Sequence, residues 1–512
     1  MSRATDYTLG DLLQRNAAVH GDGIAFRQDA QAVTHRAHFE RVQQLAAGLR
    51  RLGIAPGERI AILSKNRIEY PELFGAAALL GAIVSAINWR LSPAEVLAVL
   101  ENDTPKAVVA EDAFWPLLAP ALARDGTALE PLTVGSRRDG FRCLDDLYIA
   151  PASTGQPQAW DPVSADAPLL LVHTAWTDGR PKAATLSHAN LIANAIQLQV
   201  AWQLGVDDVH LGCLPLFHST AISLTLAVQL AGGATVLTRQ FDPEESAALT
   251  QQHRATVLGE FAPMLDSLLN TGADAPARLA SIRHVCGLDS PETIRRFEAA
   301  CPGATFWAGY GQTEVAGLAT LGPYRDAPSA AGFPLALTTI AIESEDGRLL
   351  PHGEMGETGE IVVRGPCTCL GYWQRPEDNA RLLRGGWLHT GDSGRLDAQG
   401  RLVYAGRLAI KELIKTGGEN VYPSEVEAAI REHAGIAEVA VIGVADVQWG
   451  ESIKAVCVVR TGATPPTQEE ISDFVAGRIA RYKRPRFVVF VDALPKQADG
   501  AVDRPAVRKL FG

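Results

Sequence analysis

The chain has 512 residues, with 47 Lys and Arg against 58 Asp and Glu, for a formal net charge of −11. That acidity argues against nucleic-acid or anionic-membrane binding, and seven scattered cysteines exclude a disulfide scaffold. The N-terminal MSRATDYTLG has no apolar signal core, so a cytoplasmic protein of about three domains' length is expected.

Strand-like and helical patterns alternate from the start. Glu58–Leu63 reads as a strand, Tyr70–Leu80 as a helix, Ala82–Ile87 as a strand, Ser92–Glu101 as a helix and Lys106–Ala110 as a strand. This rhythm predicts parallel sheets covered by helices. Leu73–Ile87, the longest apolar stretch, falls short of the roughly 20 residues of a membrane span and reads as buried. Residues 121–168 read as surface structure ahead of a buried strand at Leu169–Val172. Cys367 and Cys369 form a lone C-x-C without a second pair at zinc spacing, so a buried apolar pair is expected there rather than a metal. Near residue 400 the character changes. A turn at Asp397–Gly400 and a strand at Arg401–Tyr404 come first, then a Gly417-Gly418 turn. A helix near Ser424–His433 and strands near Val439–Gly443 and Ala455–Arg460 follow. These predict a small C-terminal α+β domain, 407–512, after a large N-terminal domain, 1–406.

Four segments carry chemistry. Leu171–Thr185 reads as a strand and polar loop before a helix start at Ser187, the build of a phosphate site, although Gly179 is its only glycine. Gly309-Tyr310-Gly311-Gln312-Thr313-Glu314 lets backbone approach a ligand, with Thr313 offering a hydroxyl and Glu314 a carboxylate for a divalent cation. Gly386–Asp392 ends in an acid suited to a pair of sugar hydroxyls. The fourth segment joins Gly406-Arg407 to the run Gly417–Glu427.

In order and spacing these segments resemble the adenylate-forming superfamily, which includes the acyl-CoA synthetases. Asn88–Leu91, Pro215–His218, Gly359–Pro366, Gly371–Trp373 and Tyr482–Pro485 extend the resemblance from about residue 10 to the end. It implies a large α/β domain of parallel-rich sheets with a small barrel-like subdomain, and a small mobile α+β domain hinged near 407–412. It also implies two half-reactions: a carboxylate and ATP give an acyl-adenylate, then the thiol of CoA displaces AMP. By resemblance, Gly287, Gly309, Tyr310, Gly311, Gln312, Thr313, Asp392 and Arg407 hold the adenylate, and Glu314 holds magnesium where ATP is used. His218, Ser219, Phe261, Trp307 and Gly317 face the acyl group. Gly417 and Gly418 line the thiol tunnel, with Lys483 and Arg484 at CoA. His218, Gly417 and Gly418 are the residues implied in catalysis.

The departures from the family pattern are selective. Where the family's phosphate loop reads Thr-Ser-Gly-Thr-Thr-Gly-x-Pro-Lys-Gly, this chain has Thr174, Ala175, Trp176, Thr177, Asp178, Gly179, Arg180, Pro181, Lys182 and Ala183. A serine hydroxyl is lost, Trp176 fills a glycine position, and Asp178 sets a negative charge against phosphate. One such like-charge pair at 4 Å costs about 1 kcal/mol in water and about 4 at an effective dielectric of 20. The lysine that bridges carboxylate and α-phosphate is Ala501; such a donor is typically worth about 10²–10³ in rate. The hinge segment Leu408–Glu412 is two residues longer than usual, with Glu412 at the hinge position. The adenine-lining Ser-Gly-Gly-Ala has become Val285-Cys286-Gly287-Leu288.

What is lost serves ATP, and what is kept serves an adenylate and a thiol. The pattern is similar to that of non-adenylating acyl-CoA ligases of platensimycin-type antibiotic biosynthesis, which implies a bulky diterpenoid acyl group. The expectation is thioesterification alone, from an acyl-adenylate supplied by another enzyme, with CoA as acceptor and the use of ATP and magnesium left open. Three alternatives stand: a complete ATP-dependent synthetase, acylation of a carrier protein, and a binding-only pseudoenzyme.

Overall fold

The computed structural model describes residues 6–124, 129–149, 160–177, 180–350, 357–408, 413–446, 448–497 and 502–512, and of 175–177 and 180 the backbone alone. Asp178, Gly179, Glu412, Ala501 and the side chains of Ala175, Trp176, Thr177 and Arg180 therefore lie outside the described residues.

Four sheets organise the chain. In a seven-stranded sheet, Arg59–Leu63, Ile83–Ala86, Ala107–Glu111 and Glu130–Val134 run parallel, and Pro168–Thr177 joins beside Ile83–Ala86. Ile60, Ile62, Val84, Val108 and Val109 are buried on both faces, the signature of a sheet covered on each side. The helix Glu69–Leu80 is buried nearly all round, and Gly81 at φ +66° ends it and turns the chain into the next strand. The Leu73–Ile87 stretch is therefore a helix end plus a buried strand. Among the described residues no helix is long and apolar enough to cross a membrane. Ser92 caps the next helix through a reciprocal box with Glu95, whose carboxylate accepts from Ser92 N at 2.7 Å.

A nine-stranded sheet follows, its parallel centre formed by Val209–Gly212, Ala234–Leu237, Val257–Phe261, His284–Leu288 and Thr305–Gln312. An antiparallel five-stranded sheet between Thr339 and Arg407 makes the barrel-like subdomain. Sheet membership then changes: Ile414–Thr416 and Glu419–Val421 open a separate five-stranded sheet, covered by helices Pro423–Arg431 and Gln468–Ala476.

Two expectations need correction. Residues 121–168 are not surface structure throughout, since Glu130–Val134 is an internal strand with Leu132 and Val134 buried; Pro131 and Thr133 masked its apolar signal. The phosphate segment is not a strand followed by a loop. It is a hairpin in which a second strand, Arg180–Ser187, pairs back along the first as far as Thr177 opposite Arg180. Cys367 and Cys369 are buried and not joined in a disulfide.

Candidate active site

One cavity of about 760 Å³ opens at the carboxyl ends of the parallel strands and is closed from the other side by the small domain. Thr174, His218, Ser219, Phe261, Gly287, Gly309, Gly311, Gln312, Thr313, Glu314, Gly317, Asp392, Arg407 and Gly418 all line it, so most of the expected residues meet in one place. Its glycines are there for room. A Cβ at Gly287 would lie 1.9 Å from the Glu260 carbonyl oxygen, and one at Gly311 2.0 Å from that of Gly317.

Asp392 organises the end of the cavity expected to take the ribose. It sits on the barrel strand Trp387–Leu396, register-paired with Arg407 on Leu402–Arg407. Tyr310 Oη donates to its Oδ2 at 2.7 Å, Gln312 Nε2 donates to Tyr310 Oη at 2.9 Å, and Arg407 lies 3.5 Å from Oδ1. Burial first, and Asp392 beside it, raise the Tyr310 hydroxyl well above its ordinary range, so it stays a donor. The Tyr310 ring stacks on Tyr404 at 6.1 Å. Asp392 Oδ1, buried and 3.5 Å from a guanidinium, keeps acceptor capacity for a sugar hydroxyl.

The end expected to meet phosphate is arranged otherwise. Lys182 Nζ pairs with Asp378 at 2.9 Å and lies 5.3 Å from the Tyr372 ring. Glu314 is buried, and its Oε1 accepts from Tyr372 Oη at 2.5 Å. One carboxylate with a second oxygen to offer fits a magnesium ion that also takes substrate phosphates. Thr313 Oγ1 is 3.3 Å from Ser219 Oγ.

At the end expected to take the thiol, Gly417 (φ +56°) and Gly418 (φ +82°) form the turn between Ile414–Thr416 and Glu419–Val421, a left-handed conformation that glycine adopts without strain. The turn fits between two rings: a Cβ at Gly417 would lie 2.8 Å from Trp449 and one at Gly418 3.2 Å from Phe261. The next residue, Glu419, crosses to the large domain. It bonds Arg90, accepts from Asn88 Nδ2 at 3.2 Å and meets His218 Nε2 at 3.4 Å. Burial pushes the Glu419 carboxyl up, but His218 and Arg90 outweigh it and hold it down at about 2. A small cavity bounded by Trp89, Arg90, His218, Phe261 and the Gly417–Glu419 turn shares His218, Phe261 and Gly418 with the large one.

Of the expected residues, Tyr310 is buried and touches the large cavity's wall through Asp392 and Gln312, Lys182 does not line that cavity, Gly417 lines only the small one, and three more are placed elsewhere. Trp307 does not line the cavity; its Nε1 donates to His284 at 3.1 Å and its ring packs on Trp202. Lys483 is only 1% exposed and is bonded to Glu95 and Glu425 rather than facing the cavity. Arg484 is half-buried outside both cavity walls. Sequence reasoning missed Glu419, Arg90 and Asn88 as a bonded group. The signal was present in Asn88–Leu91 and in the acid after the two glycines, but nothing in sequence spacing joins positions some 330 apart.

Residues 13–373 match the AMP-binding enzyme family, and 425–501 match the AMP-binding enzyme C-terminal domain. The chain is 34% identical over 509 residues to a feruloyl-CoA synthase of Amycolatopsis sp, covering 98% of this chain and 99% of the relative. It is 32% identical over 526 residues to an indoleacetate–CoA ligase of Aromatoleum aromaticum, covering 98% of each. Among solved structures, o-succinylbenzoate CoA synthetase from Bacillus subtilis superposes over 98% of each chain. Its double mutant bound to a CoA product analogue gives a TM-score of 0.84 at 27% identity. The same enzyme with its acyl-adenylate gives 0.68 at 26% identity.

Proposed function

The chain belongs to the AMP-binding enzyme family as an acyl-CoA ligase, and on that premise we propose that it works chiefly or solely in the thiol half-reaction. In this reading it takes an acyl-adenylate made by a separate enzyme and passes the acyl group to CoA. The thiolate attacks the acyl carbonyl, the acyl–phosphate bond breaks, and AMP leaves with the electron pair.

The observation that carries this reading is the contrast within the cavity. Tyr310, Gln312, Asp392 and Arg407 form a bonded set ready for an adenylate's ribose, and the Gly417–Glu419 turn is already seated against Phe261 and His218. The closer superposition on the CoA-product-analogue complex favours the same orientation of the small domain. At the phosphate end, the paired hairpin backbone at 176–177 and 180–181, and Lys182 turned to Asp378, support reduced use of ATP. So do the residue changes at Ala175, Trp176, Asp178 and Ala501.

In this account Asp392 and Arg407 orient the ribose, Thr313 meets the phosphate and Glu314 holds magnesium where ATP is used. His218, oriented by Glu419, stands beside the attacking sulfur. The acid in this reading is an aryl or bulky polycyclic carboxylic acid, the first class by likeness to the feruloyl and indoleacetate enzymes and the second by resemblance to platensimycin-type ligases. The experiment is a panel of preformed acyl-adenylates with CoA and no ATP, read by mass spectrometry: thioester supports the reading. Pyrophosphate release from free acid and ATP at a comparable rate would establish a complete synthetase instead.

A further inference from the structure

The buried ammonium of Lys483 has no role in the cavity, and its surroundings say what it does. It ends the short 3₁₀ turn Arg481–Lys483 of the small domain. Its Nζ lies 2.6 Å from Glu95 Oε1 on the large domain and is also bonded to Glu425 on the small-domain helix Pro423–Arg431. Glu95 is not free to adapt, because its other carboxylate oxygen is committed to the Ser92 N–H of the capping box. Around the pair, Ala480 is buried in a large-domain cluster with Leu91, Val96 and Leu100, and Tyr482 packs on both that cluster and the small-domain core. Glu425 travels with Lys483 in any domain motion and Glu95 does not. A buried charge that loses its partner is costly, so the small domain has one seat in which Lys483 is satisfied from both sides.

We propose that Lys483 is a positioning residue of the thiol half-reaction: its pair with Glu95 seats the small domain so that the Gly417–Glu419 turn reaches Phe261 and His218. The inference rests on the function proposed above, in which that docked turn serves thiol attack.

All seven native cysteines are buried, so spin labels can be placed on the full-length protein at Asp207→Cys and Glu469→Cys, both exposed positions, one on each domain. Electron–electron distances are then measured for the parent and for Glu95→Gln, Lys483→Met and the exchange variant Glu95→Lys/Lys483→Glu, which keeps one cation and two carboxylates. Acyl transfer from a preformed adenylate to CoA is measured alongside. Either single variant is expected to lose the dominant docked distance and about 10- to 100-fold of the maximal transfer rate, with the KM for the adenylate unchanged, and the exchange variant to recover both. Parent-like distances and transfer rates in both single variants would overturn the proposal, as would equal loss in a correctly melting exchange variant. A parent that makes no thioester from any adenylate, yet whose docked distance depends on Glu95 and Lys483, would overturn the proposed activity and leave the seating in place.

Discussion

The end of the cavity proposed for the ribose and the end proposed for phosphate are built on opposite plans. At the ribose end the functional groups bond one another: Tyr310 to Asp392, Gln312 to Tyr310, and Arg407 beside Asp392. At the end proposed for phosphate, and separately in the small domain, three cations are already paired with carboxylates. Lys182 is turned to Asp378, and in the small domain Lys496 pairs with Glu438 at 2.6 Å and Arg504 with Glu427. A preorganised site spends no reorganisation energy when its ligand arrives, and in the proposed reading the first end's ligand is the adenylate. In the same reading, the second end would first have to free Lys182 from Asp378.

The sharpest way to break this comparison is to rebuild the phosphate end. Ala501→Lys with Trp176→Gly and Asp178→Thr is expected to raise ATP-dependent pyrophosphate release by about 10²-fold, measured with a coupled phosphate assay. No gain would count against the lost-adenylation account. Next comes damage to the intact end. Asp392→Ala removes the ribose acceptor and leaves Arg407 and Tyr310 without their shared partner, so acyl transfer from the adenylate should fall about 10–100-fold. The loss should appear mainly in the adenylate's KM, and parent-like kinetics would show that Asp392 does not hold the ribose. Smaller still, Gly418→Val places a branched residue at φ +82° with its Cβ 3.2 Å from Phe261. It should slow transfer by about tenfold while leaving adenylate binding, followed by calorimetry, intact.

The smallest effect is one of pH. Burial, opposed by Lys483 and reinforced by Glu95, lifts Glu425 to about 7, whereas a solvated glutamate titrates near about 4.3. The docked form therefore binds more protons than the undocked form between these values, and docking strengthens as pH falls. Lys483, Glu95, Tyr482 and Tyr422 are the groups that face Glu425 there. Glu419, held at about 2, stays charged throughout. The docked fraction seen by spin-label distances should rise a few-fold from pH 8 to pH 6; an unchanged or falling fraction would refute the sign.

Much of the fold was legible in the sequence because local rules dominate it. The Ser92-Pro93-Ala94-Glu95 start is a capping box in the structure, and the strands at Arg59–Leu63 and Ala107–Glu111 lie within a residue of their expected bounds. The internal strand Glu130–Val134 was hidden by Pro131 and by neighbours without a period. The hairpin Pro168–Ser187 was hidden because its polar tip looks like a loop until the pairing of its two arms is known. In the site, residues close in a motif lie together, as Gly309, Gly311, Gln312, Thr313 and Glu314 do on the cavity wall. Residues brought together by domain docking were not. Glu419 with Arg90, and Lys483 with Glu95, depend on the relation of two domains, which no local spacing encodes.

The most direct test of the account runs both half-reactions on one preparation. Thioester formation from a preformed acyl-adenylate and CoA is compared with acid-dependent exchange of labelled pyrophosphate into ATP. The account predicts thioester formation and exchange at least about 10²-fold slower, the scale of a missing transition-state donor. Exchange as fast as acyl transfer would contradict it.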